Sequence, residues 1–232
     1  SSMNVPYYPM FVTLARRVCL VVGGGSVGER KTRSLLEYGC SVRLVAEFLT
    51  PWLQNQCAEG TVLLIGKTYT KPHLENVDLV FAATSDMETN RAIAADAEEQ
   101  RIWCNMATEP EWGSFILPCV LRRGPLTIAI STGGASPAVA VQIKRKLEHE
   151  FGKEWIVMLQ LMAMLRTTIQ SKGLTSDQNQ KLYHQIAGLP LLQWVLKQDQ
   201  EQVLQAITNI CHPWINRPEL VQIWNEAWKH SA

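Results

Sequence analysis

The stretch Val18-Cys-Leu-Val-Val-Gly-Gly-Gly-Ser-Val-Gly-Glu-Arg-Lys31 decides the fold of this chain. Its first five residues are apolar and predict a buried strand, and the helix-forming run Glu29–Tyr38 follows the glycines. Gly23, Gly25 and Gly28 have the spacing G-x-G-x-x-G between strand and helix, the context of a dinucleotide-binding turn. These glycines allow a tight turn, the approach of a pyrophosphate and close packing of helix on strand. We therefore predict nucleotide binding at the start of this helix; the alternative is a glycine-rich turn that binds nothing.

The chain after this stretch alternates between predicted strands and predicted helices. Gly39 ends the first helix, and Thr50 with Pro51 predicts the start of the second. Such alternation is typical of a mostly parallel sheet with helices on both faces. We therefore predict a Rossmann-type α/β domain over residues 1–113, with the apolar residues 7–14 lying against the sheet. The remaining predicted strands are residues 41–46, 61–65, 77–84 and 101–105, and the remaining predicted helices are residues 51–59 and 87–100.

Four loops are predicted to meet at one edge of this sheet, because ligands of such sheets bind beyond the carboxyl ends of the strands. They are the glycine loop, Glu47–Phe48, Thr84–Asp86 and Asn105–Pro110. Glu47 lies near the spacing at which an acidic residue binds the ribose hydroxyls, although it is equally interpreted as a helix-start acid before Thr50. No arginine follows Glu47 immediately, which favours NAD over NADP.

The alternation is followed by a predicted hairpin, made of residues 115–122 and 126–131 with a turn at Gly124 between them. Ser136 is a suitable N-cap for the next predicted helix, residues 138–151. A hairpin that protrudes from an α/β sheet has unpaired edges. We therefore expect a second subunit to cover this segment.

From Trp155 onward, apolar residues recur at helical spacing and predict a small all-α unit. Its methionines and tryptophans are interpreted as core residues rather than as cofactor ligands. The later helices of this unit are predicted over residues 190–197, 201–210 and 220–228. The predicted organisation is thus the Rossmann domain, a dimerisation hairpin and helix over residues 114–151, and a C-terminal helical domain over residues 152–232.

The composition argues against several classes of protein. The 232 residues are 47% hydrophobic and 19% charged, as in ordinary globular chains. A formal net charge of +1 favours neither nucleic acid nor an acidic surface as a partner. There is no apolar run of about 18 residues and no signal-peptide pattern, so we expect a cytoplasmic protein without a membrane partner. The six cysteines form no C-x-x-C pair and no cluster with histidine, so we expect neither disulfides nor a bound metal.

Four segments carry a specific resemblance. They are YYPMFVTLARRVCLVVGGGSVGERK, VFAATSD, CNMATEPEWGSFILP and GPLTIAISTGGASPAVA, which follow one another between residues 7 and 150. Together they resemble the precorrin-2 dehydrogenase/sirohydrochlorin ferrochelatase family, the siroheme-synthase N-terminal module. The resemblance implies NAD-dependent oxidation of precorrin-2 to sirohydrochlorin, with insertion of ferrous iron by some members. It also implies a homodimer joined through the hairpin and the helix that follows it.

The resemblance also implies which residues contact the cofactor NAD. The contacts implied by the family are Gly23, Gly25, Ser26, Val27, Glu47, Phe48 and Thr84. To these we add two predicted cofactor contacts: Gly28, from the glycine motif, and Asn105, at the end of the fifth predicted strand.

The sequence departs from the family at the residue that looks catalytic. The family motif has an asparagine and, three positions later, an aspartate that is implied to be an acid/base and a metal anchor. Here Asn105 is followed by Thr108, which cannot ionise and is neither a general base nor a strong metal ligand. Two interpretations of the adjacent Glu109 are open. It replaces the aspartate as acid/base if the loop turns it inward, or it is a loop acid exposed to solvent. Ser114 and Thr132 lie where family members place hydroxyls beside the tetrapyrrole, although both can instead hydrogen-bond to backbone groups.

These candidates leave three hypotheses for function. A dehydrogenase is the leading one, because hydride transfer needs the nicotinamide beside the substrate more than it needs a strong base. A sirohydrochlorin metal chelatase is the alternative enzyme, and Thr108 together with the scattered histidines disfavours it. The third is a nucleotide- or tetrapyrrole-binding module with weakened or lost catalysis.

Overall fold

The computed structural model describes residues 5–229 and 231 of the chain. Its residues form two compact units, of which the first ends at Leu117 and the second begins at Pro118. The division into three parts at residues 113 and 151 stays a prediction. Within the described residues, no helix has the length and apolar character needed to cross a membrane.

The first unit is built on a parallel five-stranded sheet with the order β3-β2-β1-β4-β5. The strand order reverses between β1 and β4, which makes this pair the switch point of the sheet. The observed sheet confirms the predicted Rossmann-type α/β fold. Its strands are β1 (Val18–Val22), β2 (Ser41–Val45), β3 (Val62–Gly66), β4 (Leu79–Ala82) and β5 (Trp103–Met106), and its helices are α1 (Ser26–Glu37), α2 (Pro51–Glu59) and α3 (Met87–Glu99).

The core of this unit lies on both faces of the sheet. Alternate residues of β1 point to opposite faces, so Cys19 and Val21 pack with α1 and α2. Leu20 and Val22 pack on the other face with α3. A strand buried on both faces reads as a continuous apolar run, which is why Val18–Val22 could be recognised from sequence.

The expectation that residues 7–14 lie against the sheet is wrong. Within this segment only Leu14 packs against the core, and Tyr8 is 85% exposed. The physical reason is that α1 and α2 already cover one face of the sheet and α3 covers the other.

The second unit begins with an antiparallel hairpin, β6 (Cys119–Arg123) and β7 (Leu126–Ile130). The turn lies at Gly124, whose φ of +56° is in the left-handed region that favours glycine. The first strand starts later than predicted, because Pro118 has no N–H with which to pair and Phe115 packs into the core of the first unit.

The helix after the hairpin is α4 (Pro137–Glu150), and Ser136 caps it as predicted, since its Oγ accepts a hydrogen bond from Val139 N at 3.2 Å. Five helices follow and share one apolar core. They are α5 (Glu154–Gln170), α6 (Ser176–Ala187), α7 (Leu191–Leu196), α8 (Gln200–Cys211) and α9 (Arg217–Lys229).

Helix α6 was not predicted, because its sequence is polar and it buries only Leu182 and Ile186. The local signal that could have found it is a capping box. Thr175 Oγ1 accepts from Gln178 N at 3.2 Å, while Gln178 Oε1 accepts from Thr175 N at 3.0 Å. This reciprocal pair defines a helix start even where apolar periodicity is weak.

Candidate functional site

The glycine loop is shaped by close backbone contacts at three of its glycines. A Cβ on Gly23, whose φ is +126°, would overlap the carbonyl oxygen of Ala83. A Cβ on Gly28 would overlap the carbonyl oxygen of Gly23, so the predicted tight turn and close packing are both present. Gly24 is equally constrained, since a Cβ there would overlap the carbonyl oxygen of Phe48. Gly24 occupies an x position of the G-x-G-x-x-G motif, so the spacing predicts no role for it.

Gly25 differs from its neighbours because the space beside it is open. A Cβ at this position would meet no heavy atom within 4 Å. Gly25 is the N-cap residue of α1, and no side chain caps this helix end. The N–H groups of the first helical turn, to which the exposed Ser26 and Val27 belong, have no partner inside the helix. An open cradle at an uncapped helix N-terminus suits the pyrophosphate of a dinucleotide.

The second loop is fastened to the glycine loop through Thr50. Its N–H donates to the carbonyl oxygen of Gly24 at 3.0 Å, and its hydroxyl donates to Glu29 Oε1 at 2.6 Å. The same hydroxyl accepts from Leu53 N and so caps α2, as predicted. The hydrogen bond from Thr50, followed by the contact with Arg33, lowers the pKa of the Glu29 carboxyl. The carboxylate therefore stays ionised and holds α1 to the start of α2.

Glu47 and Phe48 lie at the tip of this second loop. Glu47 is exposed, and it lies before the N-cap Thr50, outside α2. Its position three residues before the N-cap agrees with an acid that precedes the helix start, and its exposure agrees with a contact to the ribose. Phe48 is 81% exposed, while its carbonyl oxygen borders Gly24. Both predicted contact residues thus lie on the surface beside the glycine loop.

The loop after β4 is held by a buried asparagine that is not among the residues predicted from the sequence. Asn90 on α3 is 1% exposed. Its Oδ1 accepts from Thr84 N at 3.2 Å and lies 2.6 Å from Thr84 Oγ1, while its Nδ2 donates to the Thr84 carbonyl oxygen at 3.0 Å. The Thr84 hydroxyl also lies 3.0 Å from the Asp86 carbonyl oxygen, so its neighbours in the loop and on α3 both engage it. The available signal was a polar residue on the buried face of a helix that Asp86 caps.

Asn105 and Ser114 also bond to backbone groups. Asn105 is buried, and its Nδ2 donates to the Phe115 carbonyl oxygen at 3.3 Å. Ser114 Oγ accepts from Cys104 N at 2.7 Å and lies 3.3 Å from the Cys104 carbonyl oxygen. For Ser114, the structure therefore favours the alternative of backbone hydrogen bonding. Both residues tie the end of β5 to the chain that follows it.

Thr108 and Glu109, which follow β5, have different surroundings. Thr108 is exposed, and its hydroxyl lies 3.7 Å from Met87 Sδ. Glu109 is held by Arg91, whose Nε donates to Oε2 at 2.9 Å and whose Nη2 donates to Oε1 at 2.5 Å. This interaction lowers the pKa of the Glu109 carboxyl. Glu109 is therefore an ionised, largely covered carboxylate that is paired with Arg91, an arrangement that neither of the two sequence-based alternatives describes.

Thr132 belongs to the second unit and serves the turn before α4. Its hydroxyl donates to the Ser136 carbonyl oxygen at 3.1 Å and accepts from Ser136 N at 3.1 Å. The alternative of backbone hydrogen bonding is the one that these contacts support. Across residues 5–229 and 231, no three His, Cys, Asp or Glu side chains are grouped so as to hold a metal ion.

The comparisons with known proteins agree with this fold and with the glycine cradle. Residues 10–119 match a family described as NAD(P)-binding, and residues 123–150 match the central part of sirohaem biosynthesis proteins. The first unit thus belongs to the class of Rossmann-type proteins that bind a nicotinamide dinucleotide.

The similarity to curated relatives indicates one family within this class. The chain is 31% identical to siroheme synthase 2 of Yersinia enterocolitica over 219 residues, which are 94% of this chain and 46% of that protein. It is also 31% identical to siroheme synthase of Salmonella heidelberg, again over 94% of this chain and 48% of the relative. The chain thus spans about half the length of these curated relatives.

A solved structure supports the same assignment. The fold superposes on SirC, precorrin-2 dehydrogenase, with a TM-score of 0.74 and 26% identity, over 88% of this chain and 100% of that one. The chain belongs to the precorrin-2 dehydrogenase/sirohydrochlorin ferrochelatase family, the siroheme-synthase N-terminal module, as the four segments predicted.

Proposed function

We propose that this protein oxidises precorrin-2 to sirohydrochlorin, with NAD as the hydride acceptor. The observation that carries the proposal is the open cradle at Gly25, at the carboxyl edge of a parallel sheet. The similarity to a structure named precorrin-2 dehydrogenase supports the choice of substrate.

The residues of the chain bind and orient the cofactor in this proposal. The N–H groups of Ser26 and Val27 would bind the pyrophosphate, and Gly25 leaves room for it. The exposed Glu47 would accept hydrogen bonds from the ribose hydroxyls. A carboxylate at this place repels a 2′-phosphate, which supports NAD rather than NADP.

The proton that accompanies the hydride does not require a strong base. The oxidation removes one hydride and one proton from the substrate, and the acidic C–H and N–H groups of precorrin-2 can release the proton to water. Thr108 cannot ionise, and Arg91 engages both carboxylate oxygens of Glu109. We infer that oxidation proceeds with this arrangement, while insertion of a metal into sirohydrochlorin stays near its uncatalysed rate.

We also propose a homodimer that forms through the hairpin and α4. Helix α4 carries the apolar residues Val139, Val141 and Ile143, each of which is exposed in a single chain. Burial of such residues favours association, at roughly 25 cal/mol for each Å² of apolar surface removed from water. A cytoplasmic location stays a prediction from the sequence.

A turnover assay tests the proposed function and separates it from the alternatives. Purified protein is mixed anaerobically with precorrin-2 and either NAD or NADP, while NADH formation and sirohydrochlorin absorbance are followed. We expect stoichiometric NADH and sirohydrochlorin, with NAD preferred. Binding of NAD without turnover would instead identify a binding module. Rapid insertion of ferrous iron or cobalt into sirohydrochlorin, without oxidation, would identify a chelatase.

A further inference from the structure

The order of the strands indicates at which part of the sheet edge the substrate would bind. The glycine loop after β1 is the proposed pyrophosphate site, and Glu47 after β2 is the proposed ribose acid. The strands β4 and β5, across the switch point, are therefore left for the nicotinamide half of the dinucleotide. A substrate that delivers a hydride must bind on that side, beside residues 105–113, which we call the β5 loop.

Arg91 holds the β5 loop through Glu109. Both carboxylate oxygens are engaged, one by Nε at 2.9 Å and the other by Nη2 at 2.5 Å. The Glu109 side chain is only 18% exposed, although Arg91 is 47% exposed. A bidentate pair fixes the orientation of the carboxylate as well as its distance. The loop is thus tied to the second turn of α3.

The same arginine reaches a second point of the loop. Its guanidinium carbon lies 5.1 Å from the centroid of the Trp112 ring, within the range of a cation–π contact. Trp112 N in turn donates to the Glu109 carbonyl oxygen at 3.0 Å. One turn earlier on α3, Met87 contacts Thr108. Arg91 therefore connects two parts of the loop that also bond to each other.

The charges around Arg91 make the loop dependent on it. The hydrogen bond with Glu109, and then the charges of Glu111 and Glu88, raise the pKa of the Arg91 guanidinium. If Arg91 lost its charge, these carboxylates would repel one another, and Glu109 would have no bidentate partner. A neutral side chain at position 91 should therefore release the loop from α3.

We propose that Arg91 is a positioning residue for the oxidation of precorrin-2: through Glu109 and Trp112 it holds the β5 loop beside the substrate. The inference rests on the proposed function. The arginine acts through the loop and contacts no reacting atom. Glu109, next to the position where the family has its aspartate, would then serve as an anchor rather than as an acid or a base.

The test uses variants that differ in charge and in geometry. Arg91→Gln removes the charge, Arg91→Lys keeps it without the bidentate geometry, and Glu109→Gln removes the partner. The double variant Arg91→Gln/Glu109→Gln measures the coupling between them. Arg217→Gln is the matched control, since Arg217 is also 47% exposed and pairs with Glu201 at 2.5 Å.

We expect the kcat for precorrin-2 oxidation to fall about 10- to 100-fold in Arg91→Gln, the cost of a misplaced catalytic loop. The kcat of Glu109→Gln should fall by a similar factor. The kcat of the double variant should be no lower than that of either single variant. Arg91→Lys should recover part of the loss. NAD affinity, measured by calorimetry, should stay unchanged in all of them, and Arg217→Gln should match the unaltered protein in every assay.

Amide hydrogen exchange in residues 105–115, without cofactor or substrate, provides a readout that is independent of activity. Faster exchange in Arg91→Gln than in Arg217→Gln is expected. Unchanged exchange, or additive losses of kcat in the double variant, would overturn the role of Arg91. A protein with the expected exchange difference that fails to oxidise precorrin-2 would instead overturn the proposed function, and the catalytic part of this inference with it.

Discussion

The side-chain amide of Asn90 engages the N–H, the hydroxyl and the carbonyl oxygen of Thr84, across the start of α3. A buried side-chain amide that hydrogen-bonds to both the N–H and the carbonyl oxygen of one residue leaves that residue few alternative backbone conformations. The loop after β4 is therefore preset before any ligand arrives. Since this loop borders the switch point of the sheet, we expect its order to affect cofactor binding.

Asn90→Asp should destabilise the first unit and weaken NAD binding. The substitution removes the Nδ2 donor and places a carboxylate beside the Thr84 carbonyl oxygen. Loss of a buried hydrogen bond of this kind costs about 1–3 kcal/mol. Urea unfolding measures the free energy of unfolding, and calorimetry measures the affinity for NAD. Asn225→Asp, at an exposed position in the middle of α9, is the control and should alter neither quantity. Unchanged stability of Asn90→Asp would show that the three contacts are dispensable.

Gly25→Val should separate binding from folding. The backbone of Gly25 is extended, with φ of −83°, and a Cβ there meets no other atom, so the variant should fold normally. The added isopropyl group should fill the cradle and weaken NAD binding by about tenfold or more, since close approach to the backbone is what the glycine allows. Calorimetric titration with NAD measures the effect.

Gly24→Ala is the matched comparison for Gly25→Val. Its Cβ would overlap the Phe48 carbonyl oxygen, so it should destabilise the first unit by about 1–3 kcal/mol through overpacking. A thermal melt of each variant distinguishes the two cases. Wild-type NAD affinity in Gly25→Val would place the pyrophosphate elsewhere.

The acid stability of the first unit should depend on Glu29. Its folded-state pKa lies below the ordinary value near 4.5, so the carboxylate stabilises the folded state above that pH and loses this contribution as the pH falls through the folded-state pKa. Glu29→Gln should therefore be less stable than the unaltered protein at pH 6, and the difference should shrink below about pH 4.5. Urea unfolding at a series of pH values checks the shape of this curve. A difference that is independent of pH would contradict the assignment.

The parts of the fold and site that could be predicted are those with local signals. The strand, glycines and helix of the opening stretch lie within one short run, and the open space beside Gly25 agrees with the role that the spacing predicts for it. Gly24 could not, because its constraint is the carbonyl oxygen of Phe48, which belongs to another loop.

The same distinction explains what was missed around the β5 loop. The state of Glu109 depends on Arg91, which lies 18 residues away on another element. Periodicity shows that α3 is a helix, but it carries no information on which loop residue its arginine meets. The identity of Thr108 was readable from sequence, whereas its exposure had to come from the structure.

Thr108→Asp should raise the rate of metal insertion into sirohydrochlorin above that of the unaltered protein. A chelatase must accept two pyrrole protons and benefits from a carboxylate that binds the divalent cation, and threonine provides neither function. Thr108 is exposed, and its hydroxyl makes a single long contact with Met87 Sδ, so an aspartate should be tolerated by the fold. We expect the rate of ferrous iron or cobalt insertion into sirohydrochlorin to rise above the uncatalysed rate in the variant alone. Ala107→Asp, which adds the same charge one residue earlier at an exposed position, is the control and should insert no metal.

Both activities are to be measured on one preparation, with sirohydrochlorin formation from precorrin-2 and NAD showing that the pocket is intact. Rapid metal insertion by the unaltered protein would show that the missing aspartate is not needed, and Glu109→Gln would then reveal whether the neighbouring acid had replaced it.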